Sequence, residues 1–468
     1  MAWWIGTNST SPERTARQSL TLFASLVTAG AALSVFIATL QWLRLESNWG
    51  IFAADRGPAM RPFGNLGQPN HLATLALMGI AMSCALYLQQ RLRRWQLIAL
   101  VTWLSWGLIL TESRTGLLSA ILLGVIFMWQ GRWTWGLGNW RTVLVWWAAL
   151  LALASLLTPL NEALLLQAGR GDVPMTHDNL RMIMWRQSLS AIQQSPWLGY
   201  GWRQTVVGQK AGANVVAGTL ATDYAHNLGL DLLLWVGIPI GILLLTLATF
   251  WLVTAARKSE GPFQFLLLAG ILPVGVHSML EFPFAYSYFL FPVGWMLGAL
   301  AASQDRNKAI TEIFWGSIGW FSAVAALLVF SGLCFLVAQE YLKVEEDYRV
   351  MRFELRRLGQ TPADYEAPQL ALLTQLDETL KVGRMVPYPG MPTRDIERLR
   401  IANASQAWAT LHLSYVVALA LNGQPEEATR QLRNLRALYG AETYKQVSEM
   451  FLRVQAEQYP QLALVKLP

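Results

Sequence analysis

The stretch LTLFASLVTAGAALSVFIATLQWL, residues 20–43, decides the class of fold. It is almost continuously apolar, and a helix of about 20 such residues can cross the roughly 30 Å hydrocarbon core of a bilayer. Because apolar and polar residues do not alternate along it, the stretch is not typical of a membrane β-strand. Eight similar runs follow, at residues 71–90, 95–111, 116–130, 142–158, 227–254, 263–280, 284–302 and 312–338.

The composition of the chain agrees with this pattern. Of its 468 residues, 54% are hydrophobic and only 14% are charged, whereas a soluble domain carries about 25% charged residues. The sequence therefore predicts an all-α fold, a multi-span helical membrane protein with nine spans.

Charge in the connecting segments predicts the orientation of the spans. The links on one side carry eleven basic residues against three acidic ones, and positively charged loops stay in the cytoplasm. This assignment places the N-terminus inside, as a retained signal anchor, and residues 339–468 outside. Since the basic loops account for much of the net charge of +7, no nucleic-acid partner is expected. The basic residues are Arg14, Arg17, Arg91, Arg93, Arg94, Arg132, Arg141, Arg257, Lys258, Arg306 and Lys308.

Two regions outside the spans are long enough to have structure of their own. The outer loop 159–226 is too long for a simple connection. After the last span, residues 402–421 and 425–439 form a helical pair that resembles a tetratricopeptide-like repeat, which other helices must complete. The sequence predicts a transmembrane catalytic domain, residues 1–338, and an outer helical domain, residues 339–468.

Four of the five histidines lie where predicted spans end on the outer side: His71, His177, His226 and His277. Ionisable groups are costly inside a bilayer, so their appearance at one surface indicates a function there. The pattern favours a reaction site at the outer surface over a conduction path across the membrane.

Two of the candidate motifs precede or join early spans. GNLGQPNHLATL, from Gly64, presents Gln68, Asn70 and His71 at a helix start, which is either a plain N-terminal cap or a polar binding cluster. TESRTG, residues 111–116, either forms a short turn with a Glu112–Arg114 surface pair or presents Arg114 to a phosphate.

Two more motifs belong to the long loop and its return to the membrane. In the predicted helix from Asn179, Arg181, Trp185 and Arg186 form either a solvated face or a clamp for a pyrophosphate. Arg203 lies further along the same loop. In DYAHNLGLDLLLWVGIPIG, from Asp223, His226 and Asn227 either anchor the interface or supply a proton acceptor near neutral pH.

The fifth motif is HSMLEFPFAYSYFLFPVGWMLG, from His277. His277 and Glu281 are four residues apart and can pair on one helical face, as a structural contact or as part of a site. The sequence has no zinc-ligand spacing, P-loop, DxD or GxSxG motif, so neither a metal site nor a cofactor is expected.

In this order, the five motifs resemble those of PglL-type bacterial protein O-oligosaccharyltransferases, within the wider O-antigen ligase and Wzy polymerase superfamily. The resemblance covers roughly residues 60–302. The QPNHLA and HSMLEFP elements look like those of the protein-glycosylating branch, and the tail looks like its helical C-terminal region. One difference is Trp235, where the family commonly has Glu, which implies that this Glu is dispensable or that activity is altered. Another is that family members usually have several more spans before QPNH.

The resemblance implies a GT-C-like membrane fold in the bacterial inner membrane, with the active site facing the periplasm. It implies metal-independent, inverting transfer of a glycan from a polyprenyl-diphosphate (undecaprenyl diphosphate) carrier to Ser or Thr of periplasmic acceptor proteins such as pilins. His226 matches the essential histidine of the family. Arg114 and Arg181 match arginines thought to hold the diphosphate. As a hypothesis separate from the resemblance, Arg186 or Arg203 helps them to bind it.

Three alternatives stay open at the level of the sequence. An O-antigen ligase would use the same donor with a lipid A-core acceptor. A transporter of lipid-linked glycans would need polar groups near mid-membrane, which the predicted spans largely lack. If the chain were a non-catalytic membrane scaffold, the clustering of histidines and arginines on one side of the membrane would have no functional explanation.

Overall fold

The computed structural model describes residues 13–57, 60–129, 139–164, 166, 176–218, 220–304, 317–354, 358–359, 365–366 and 368–468. The side chain of His177 and the ends of two predicted spans, at residue 130 and residues 312–316, lie outside these ranges.

The described elements are all helical, with no strand among them. The helices of the first three hundred residues are α1 (Glu13–Trp42), α2 (Pro69–Leu88), α3 (Arg94–Leu110), α4 (Arg114–Trp129), α5 (Trp140–Ala163), α6 (Thr176–Gln194), α7 (Thr205–Ala213), α8 (Leu228–Lys258), α9 (Pro262–Ser278) and α10 (Ser287–Gln304). They are followed by α11 (Ser317–Glu354), α12 (Thr374–Gly383), α13 (Thr393–Ser405), α14 (Ala409–Leu421) and α15 (Pro425–Glu457). Short 3₁₀ turns cover Glu46–Phe52, Pro283–Ala285 and Pro460–Leu464.

Each of the nine predicted spans coincides with a helix, namely α1 to α5 and α8 to α11. By length and composition, five helical segments are long and apolar enough to cross a membrane: Arg17–Trp42, Pro69–Leu88, Trp140–Ala163, Leu228–Lys258 and Val324–Glu354. Shorter apolar helices include α3, α4 and α9. The chain is thus a multi-span helical membrane protein, as the apolar runs predict.

The chain folds into two compact units. The first unit comprises residues 1–174, 226–228 and 245–308, and the second comprises residues 175–225, 229–244 and 309–468. The domains 1–338 and 339–468, derived from hydropathy, stay a prediction.

Helix α2 forms the centre of the first unit, where it packs against α1, α3 and α9. Small residues allow the close approach. A Cβ atom on Gly79 would lie 2.7 Å from the Ala31 side chain, and one on Gly107 would lie 2.2 Å from the Val35 side chain. Because lipid tails are as apolar as the side chains, such tight van der Waals contacts provide much of the association energy between membrane helices.

A buried glutamine organises the loop between α1 and α2. Gln41 is fully buried, and its Nε2 donates to the carbonyl oxygens of Ala54 and Gly64 at 2.9 Å. Its Oε1 accepts from the backbone N–H groups of Phe63 and Gly64, also at 2.9 Å. This amide therefore satisfies backbone groups that would otherwise be costly to bury, and it fixes the approach to the polar start of α2.

In the second unit, α6 confirms the helix predicted from Asn179. The segment SPWLGYGW, residues 195–202, follows it, and its Pro and Gly residues indicate a turn, which the structure contains. This turn packs on the first part of α8. Tyr200 N donates to Leu234 O at 2.7 Å, and Ile238 N donates to Pro196 O at 2.7 Å. Gly237 makes the contact possible, because a Cβ atom there would lie 2.3 Å from Trp197 O.

Trp235 has a structural role in this unit. It is 4% exposed, and its Nε1 donates to Thr205 Oγ1 at 2.8 Å. The Thr205 hydroxyl donates in turn to Asp231 Oδ1 at 2.8 Å, and the same carboxylate oxygen accepts from Ala225 N at 2.9 Å. The indole thus belongs to a buried network that fixes the segment leading into α8.

The C-terminal helices form the second core, around Leu399, Val416, Leu432 and Phe451. The predicted helical pair is present as α14 and α15, but its bounds differ. The first helix is interrupted: residues 402–405 belong to α13, and α14 begins at Ala409. The second helix continues beyond residue 439 through a kink at Gly440, which has φ 78°. The likeness of this pair to a tetratricopeptide repeat stays a prediction.

Candidate active site

His226 and Glu281 form a hydrogen-bonded pair in the first unit. His226 Nδ1 lies 2.9 Å from Glu281 Oε2, and their side chains are 20% and 5% exposed. The imidazole also packs edge-on against the Phe282 ring at 4.8 Å. His226 lies two residues before the start of α8, and its backbone is left-handed, with φ 56°. Such a conformation is uncommon for a residue other than glycine and marks a position that the surrounding structure holds.

Two amides at the start of α2 orient the carboxylate. Gln68 Nε2 donates to Glu281 Oε2 and Asn70 Nδ2 donates to Glu281 Oε1, each at 3.3 Å. Three of the sequence motifs thus meet at Glu281, which receives donors from the QPNH and AHN segments. Helix α9 ends at Ser278, so Glu281 lies in the turn beyond it, with its N–H donating to His277 O at 2.8 Å.

The TESRTG segment joins the same network through Ser113. Ser113 Oγ donates to Asn70 Oδ1 at 2.7 Å. An amide oxygen that accepts this bond leaves the Asn70 NH₂ group to face Glu281, so the hydroxyl sets the orientation of the amide. Arg61 supports the turn from the other side, where its Nη1 donates to Thr111 O at 2.9 Å and to Glu112 O at 3.0 Å.

Ser113 and Arg61 were not predicted as site residues. Ser113 lies inside the TESRTG motif, but the interpretation of that motif rested on its charged residues, Glu112 and Arg114. Arg61 precedes the QPNH motif in a loop and has no local signal of its own. Arg114 is exposed at the first position of α4, directly after Ser113.

The remaining candidates of the first unit pack around the pair. His71 and His277 are 1% and 0% exposed, with their rings 5.4 Å apart. His71 Nδ1 lies 2.7 Å from Tyr288 Oη, and His277 Nδ1 lies 2.8 Å from Thr74 Oγ1. These contacts brace α2, which carries Asn70, against α9 and α10. Asn227 Nδ2 donates to Met279 O at 3.0 Å, which holds the segment after His226 against the turn after α9.

The geometry of the pair suits general base catalysis. An ionised carboxylate can only accept hydrogen bonds, so with Glu281 ionised the imidazole nitrogen that faces it would be the one that carries a proton. In the neutral ring the other nitrogen, Nε2, is then an acceptor that can take a proton from a substrate hydroxyl. A carboxylate in this position would also stabilise an imidazolium, as in other base–carboxylate pairs.

Four predicted site residues lie in the second unit: Arg181, Trp185, Arg186 and Arg203. Trp185 Nε1 donates to Ala225 O at 3.0 Å, which fixes the residue before His226. The Arg203 guanidinium lies over the Tyr224 ring at 5.6 Å. Burial raises the pKa of Tyr224, while the charge of Arg203 opposes the shift. The roles of these four residues in substrate binding stay predictions.

Among the residues that the structure describes, no group of three or more His, Cys, Asp or Glu side chains could hold a metal ion.

Three families match successive parts of the sequence. Residues 62–87 match the family "Protein glycosylation ligase", residues 99–246 match "O-Antigen ligase", and residues 265–451 match "Virulence factor membrane-bound polymerase, C-terminal". The first match contains Gln68, Asn70 and His71, and the second contains Arg114 and His226.

Two curated proteins of Acinetobacter baylyi are similar to the chain. A general O-oligosaccharyltransferase is 26% identical over 451 residues, which cover 93% of this chain and 76% of that protein. A ComP-specific O-oligosaccharyltransferase is 29% identical over 309 residues, which cover 65% of this chain and 54% of that protein. No solved structure matches the chain.

Proposed function

We propose, from the premise that this chain belongs to the superfamily of O-antigen ligases and protein glycosylation ligases, that it is a membrane O-oligosaccharyltransferase. It transfers an oligosaccharide en bloc from a polyprenyl-diphosphate carrier to the hydroxyl of a Ser or Thr on an acceptor protein. The observation that carries this proposal is the His226–Glu281 pair, with its oriented carboxylate and a second imidazole nitrogen left to act as base.

In the proposed reaction, the acceptor hydroxyl lies against Nε2 of His226 and gives up its proton to that nitrogen. The hydroxyl oxygen forms a bond to the anomeric carbon of the donor sugar. The bond from that carbon to the diphosphate oxygen breaks, and its electron pair leaves with the polyprenyl diphosphate. Attack opposite to the leaving group inverts the configuration. Glu281 holds the imidazole in place and balances the charge of the imidazolium.

The leaving diphosphate needs cationic partners more than it needs a proton. Arg114 follows the Ser113 contact directly and is exposed, so its guanidinium can bind two phosphate oxygens with its planar fork. Preorganised cations stabilise developing negative charge strongly where water is scarce. Arg181 remains the second arginine that the resemblance assigns to the diphosphate.

The setting follows from the predicted orientation of the spans. With basic loops on the cytoplasmic side, His226 and Glu281 face the periplasm from the inner membrane, and the polyprenyl tail lies in the lipid. A pilin-like periplasmic protein is the proposed acceptor, and no cofactor or metal takes part. A second candidate is an O-antigen ligase, which the match of residues 99–246 favours and which would use a lipid-sugar acceptor.

The first prediction tests the pair. Glu281→Gln replaces the carboxylate, whose two oxygens both accept hydrogen bonds, with an amide that has only one accepting oxygen. His226→Ala removes the proposed base. We expect each to lower the rate of transfer by about 10²- to 10⁴-fold. The measurement is the intact mass of candidate pilins after co-expression of each variant with a lipid-linked glycan pathway, followed by initial rates with purified protein.

The control for this experiment is Ser119→Ala. Ser119 is also buried in the first unit, but its hydroxyl donates to Thr115 O of the same helix at 2.9 Å and has no link to Glu281. A wild-type rate for His226→Ala would refute the proposed base. Glycan found on a lipid-sugar acceptor and on no protein would assign the chain to the O-antigen ligase alternative.

A further inference from the structure

A polar cavity of about 300 Å³ lies within the second unit, where α7 meets the C-terminal helices α13, α14 and α15. This volume is at the lower end of ligand pockets, which span about 300–1,000 Å³. The cavity differs from an ordinary pocket in its lining, since the apolar side chains there are limited to two alanines. Four amide side chains contribute to it: Asn214, Asn403, Gln431 and Asn434.

Three charged side chains of the lining, Lys210, Glu427 and Arg400, already have hydrogen-bond partners in the protein. Lys210 Nζ donates to Asn403 O and, at 3.1 Å, to Gln406 O, so it satisfies carbonyl groups at the C-terminal end of α13. Gln431 Nε2 donates to Glu427 Oε1 at 2.8 Å. Arg400 forms a pair of hydrogen bonds with Glu397 at 2.7 and 2.6 Å. A charged ligand would have to compete with these contacts.

Uncharged hydrogen-bonding groups remain available. Among the described residues, the side-chain amides of Asn214 and Asn434 and the hydroxyl of Tyr415 have no hydrogen-bond partner, although all three line the cavity. Each amide offers donors and an acceptor together, which is the same combination that a peptide unit presents. The cavity therefore fits an uncharged ligand with alternating donors and acceptors.

The lining favours a polypeptide over a sugar as this ligand. A sugar ring presents a C–H face that packs well on an open aromatic ring. Tyr415 is only 6% exposed and its ring belongs to the core of the second unit, so the cavity offers no open face of that residue. An extended peptide needs no such surface, because its main chain alone supplies the hydrogen bonds.

We propose that this cavity binds a short extended segment of the acceptor polypeptide, through Asn214, Asn434 and the Tyr415 hydroxyl. The inference rests on the proposed function, since it presumes a protein acceptor. In this proposal, the α7 region of the long loop and the C-terminal helices together bind the backbone of the acceptor chain.

The test compares purified wild-type protein with the double variant Asn214→Leu/Asn434→Leu and with Tyr415→Phe, which removes one oxygen and keeps the ring. The acceptor is the periplasmic protein that the wild-type chain glycosylates, and the donor is held at saturation. We expect the KM for the acceptor to rise about tenfold in the double variant and about threefold in Tyr415→Phe, with kcat unchanged, because each lost hydrogen bond contributes a modest factor. Arg433→Ala, an exposed change on the same α15 helix, should leave KM unchanged.

A photo-crosslinking amino acid at position 434 provides a second measurement that does not depend on activity. The expected product joins this position to the acceptor protein, and peptide mapping locates the bound segment. Unchanged KM values in folded variants, or no crosslink to the acceptor, would overturn the inference while leaving the transferase proposal intact. Transfer to a lipid sugar alone would overturn both.

Discussion

At the scale of single residues, the hydroxyl of Ser113 decides which way the Asn70 amide faces. It donates to Asn70 Oδ1 at 2.7 Å, and the NH₂ group of the same amide donates to Glu281 at 3.3 Å. The carboxylate in turn bonds to His226. Ser113 is thus linked through two other side chains to His226, the proposed base. Because its Oγ also accepts from Gly116 N at 2.9 Å at the start of α4, we expect its removal to lower both catalysis and stability.

We therefore predict that Ser113→Ala lowers kcat by about 3- to 10-fold, the typical worth of one hydrogen bond, while the acceptor KM stays the same. Rates measured with purified protein at saturating donor would check this. Ser113→Thr keeps the hydroxyl and should recover much of the rate. If the alanine variant matches the wild type in kcat, the proposed role of Ser113 in orienting the amide is wrong.

Most residues of this network could be predicted from the sequence, but which of them contact each other could not. Gln68, Asn70, His226 and Glu281 stood out because polar and ionisable groups are rare at the ends of apolar runs. Their pairing could not be read, since Glu281 lies 55 residues from His226 and 211 from Asn70. Spacing placed Glu281 on one helical face with His277, but α9 ends at Ser278 and the turn sends the carboxylate toward other segments.

At the scale of the elements, periodicity and hydropathy located the helices well and their ends less well. Helix α2 begins at Pro69 instead of residue 71, and α11 continues to Glu354, well beyond residue 338. An apolar run shows where lipid or core contacts end. A helix continues past that point when polar residues such as Glu, Lys and Gln also favour helical backbone.

The kink in α8 at Gly237 lets two glycine-containing motifs, SPWLGYGW and WVGIPIG, pack against each other. Gly237 has φ 78° and ψ 173°, a backbone region that is essentially confined to glycine. It lets the SPWLGYGW turn approach α8 so closely that backbone hydrogen bonds form between them. Pro and Gly predict a turn in SPWLGYGW, but the sequence could not show that this turn contacts α8.

We predict that Gly237→Ala destabilises the protein by about 1–3 kcal/mol or more, from backbone strain and the close contact with Trp197 O. The measurement is the thermal unfolding midpoint in detergent. Gly275→Ala is the matched control in α9, because a Cβ atom there meets nothing within 4 Å. Equal midpoints for the two variants would contradict the role given to Gly237.

At the scale of the whole molecule, stability should depend on pH through a buried histidine. His412 is 2% exposed in the second unit, and its Nε2 lies 3.1 Å from Gln431 Oε1. Burial lowers the pKa of His412 to about 3, and the charge of Lys210 adds to this shift. The unfolded chain binds a proton at this residue below pH 6.5, whereas the folded chain does so only near pH 3.

The protein should therefore lose stability as the pH falls from 6.5 toward 3, by roughly 3 kcal/mol at pH 4 from this residue alone. Thermal unfolding of the full chain in detergent at pH 7, 5 and 4 measures the effect. His412→Gln removes the titrating group and should flatten this part of the pH profile. A variant that keeps the full wild-type slope would show that His412 is not the source.

Hydropathy alone was sufficient to predict the helical membrane class of the whole chain. The transporter alternative requires polar groups along a route through the spans. In the first unit, the described network around Glu281 is built from the start of α2, the start of α4 and the turn after α9. This placement agrees with chemistry at one surface.

The Glu281 hydrogen bonds have a consequence for the order of events during synthesis. A ribosome delivers Asn70 and Ser113 early, His226 much later and Glu281 last of the four, and domains take shape as the chain emerges. A polypeptide that ends between residues 226 and 281 would contain the imidazole but not its carboxylate. On the proposed mechanism, transfer would therefore not begin until residue 281 of the 468 had been translated.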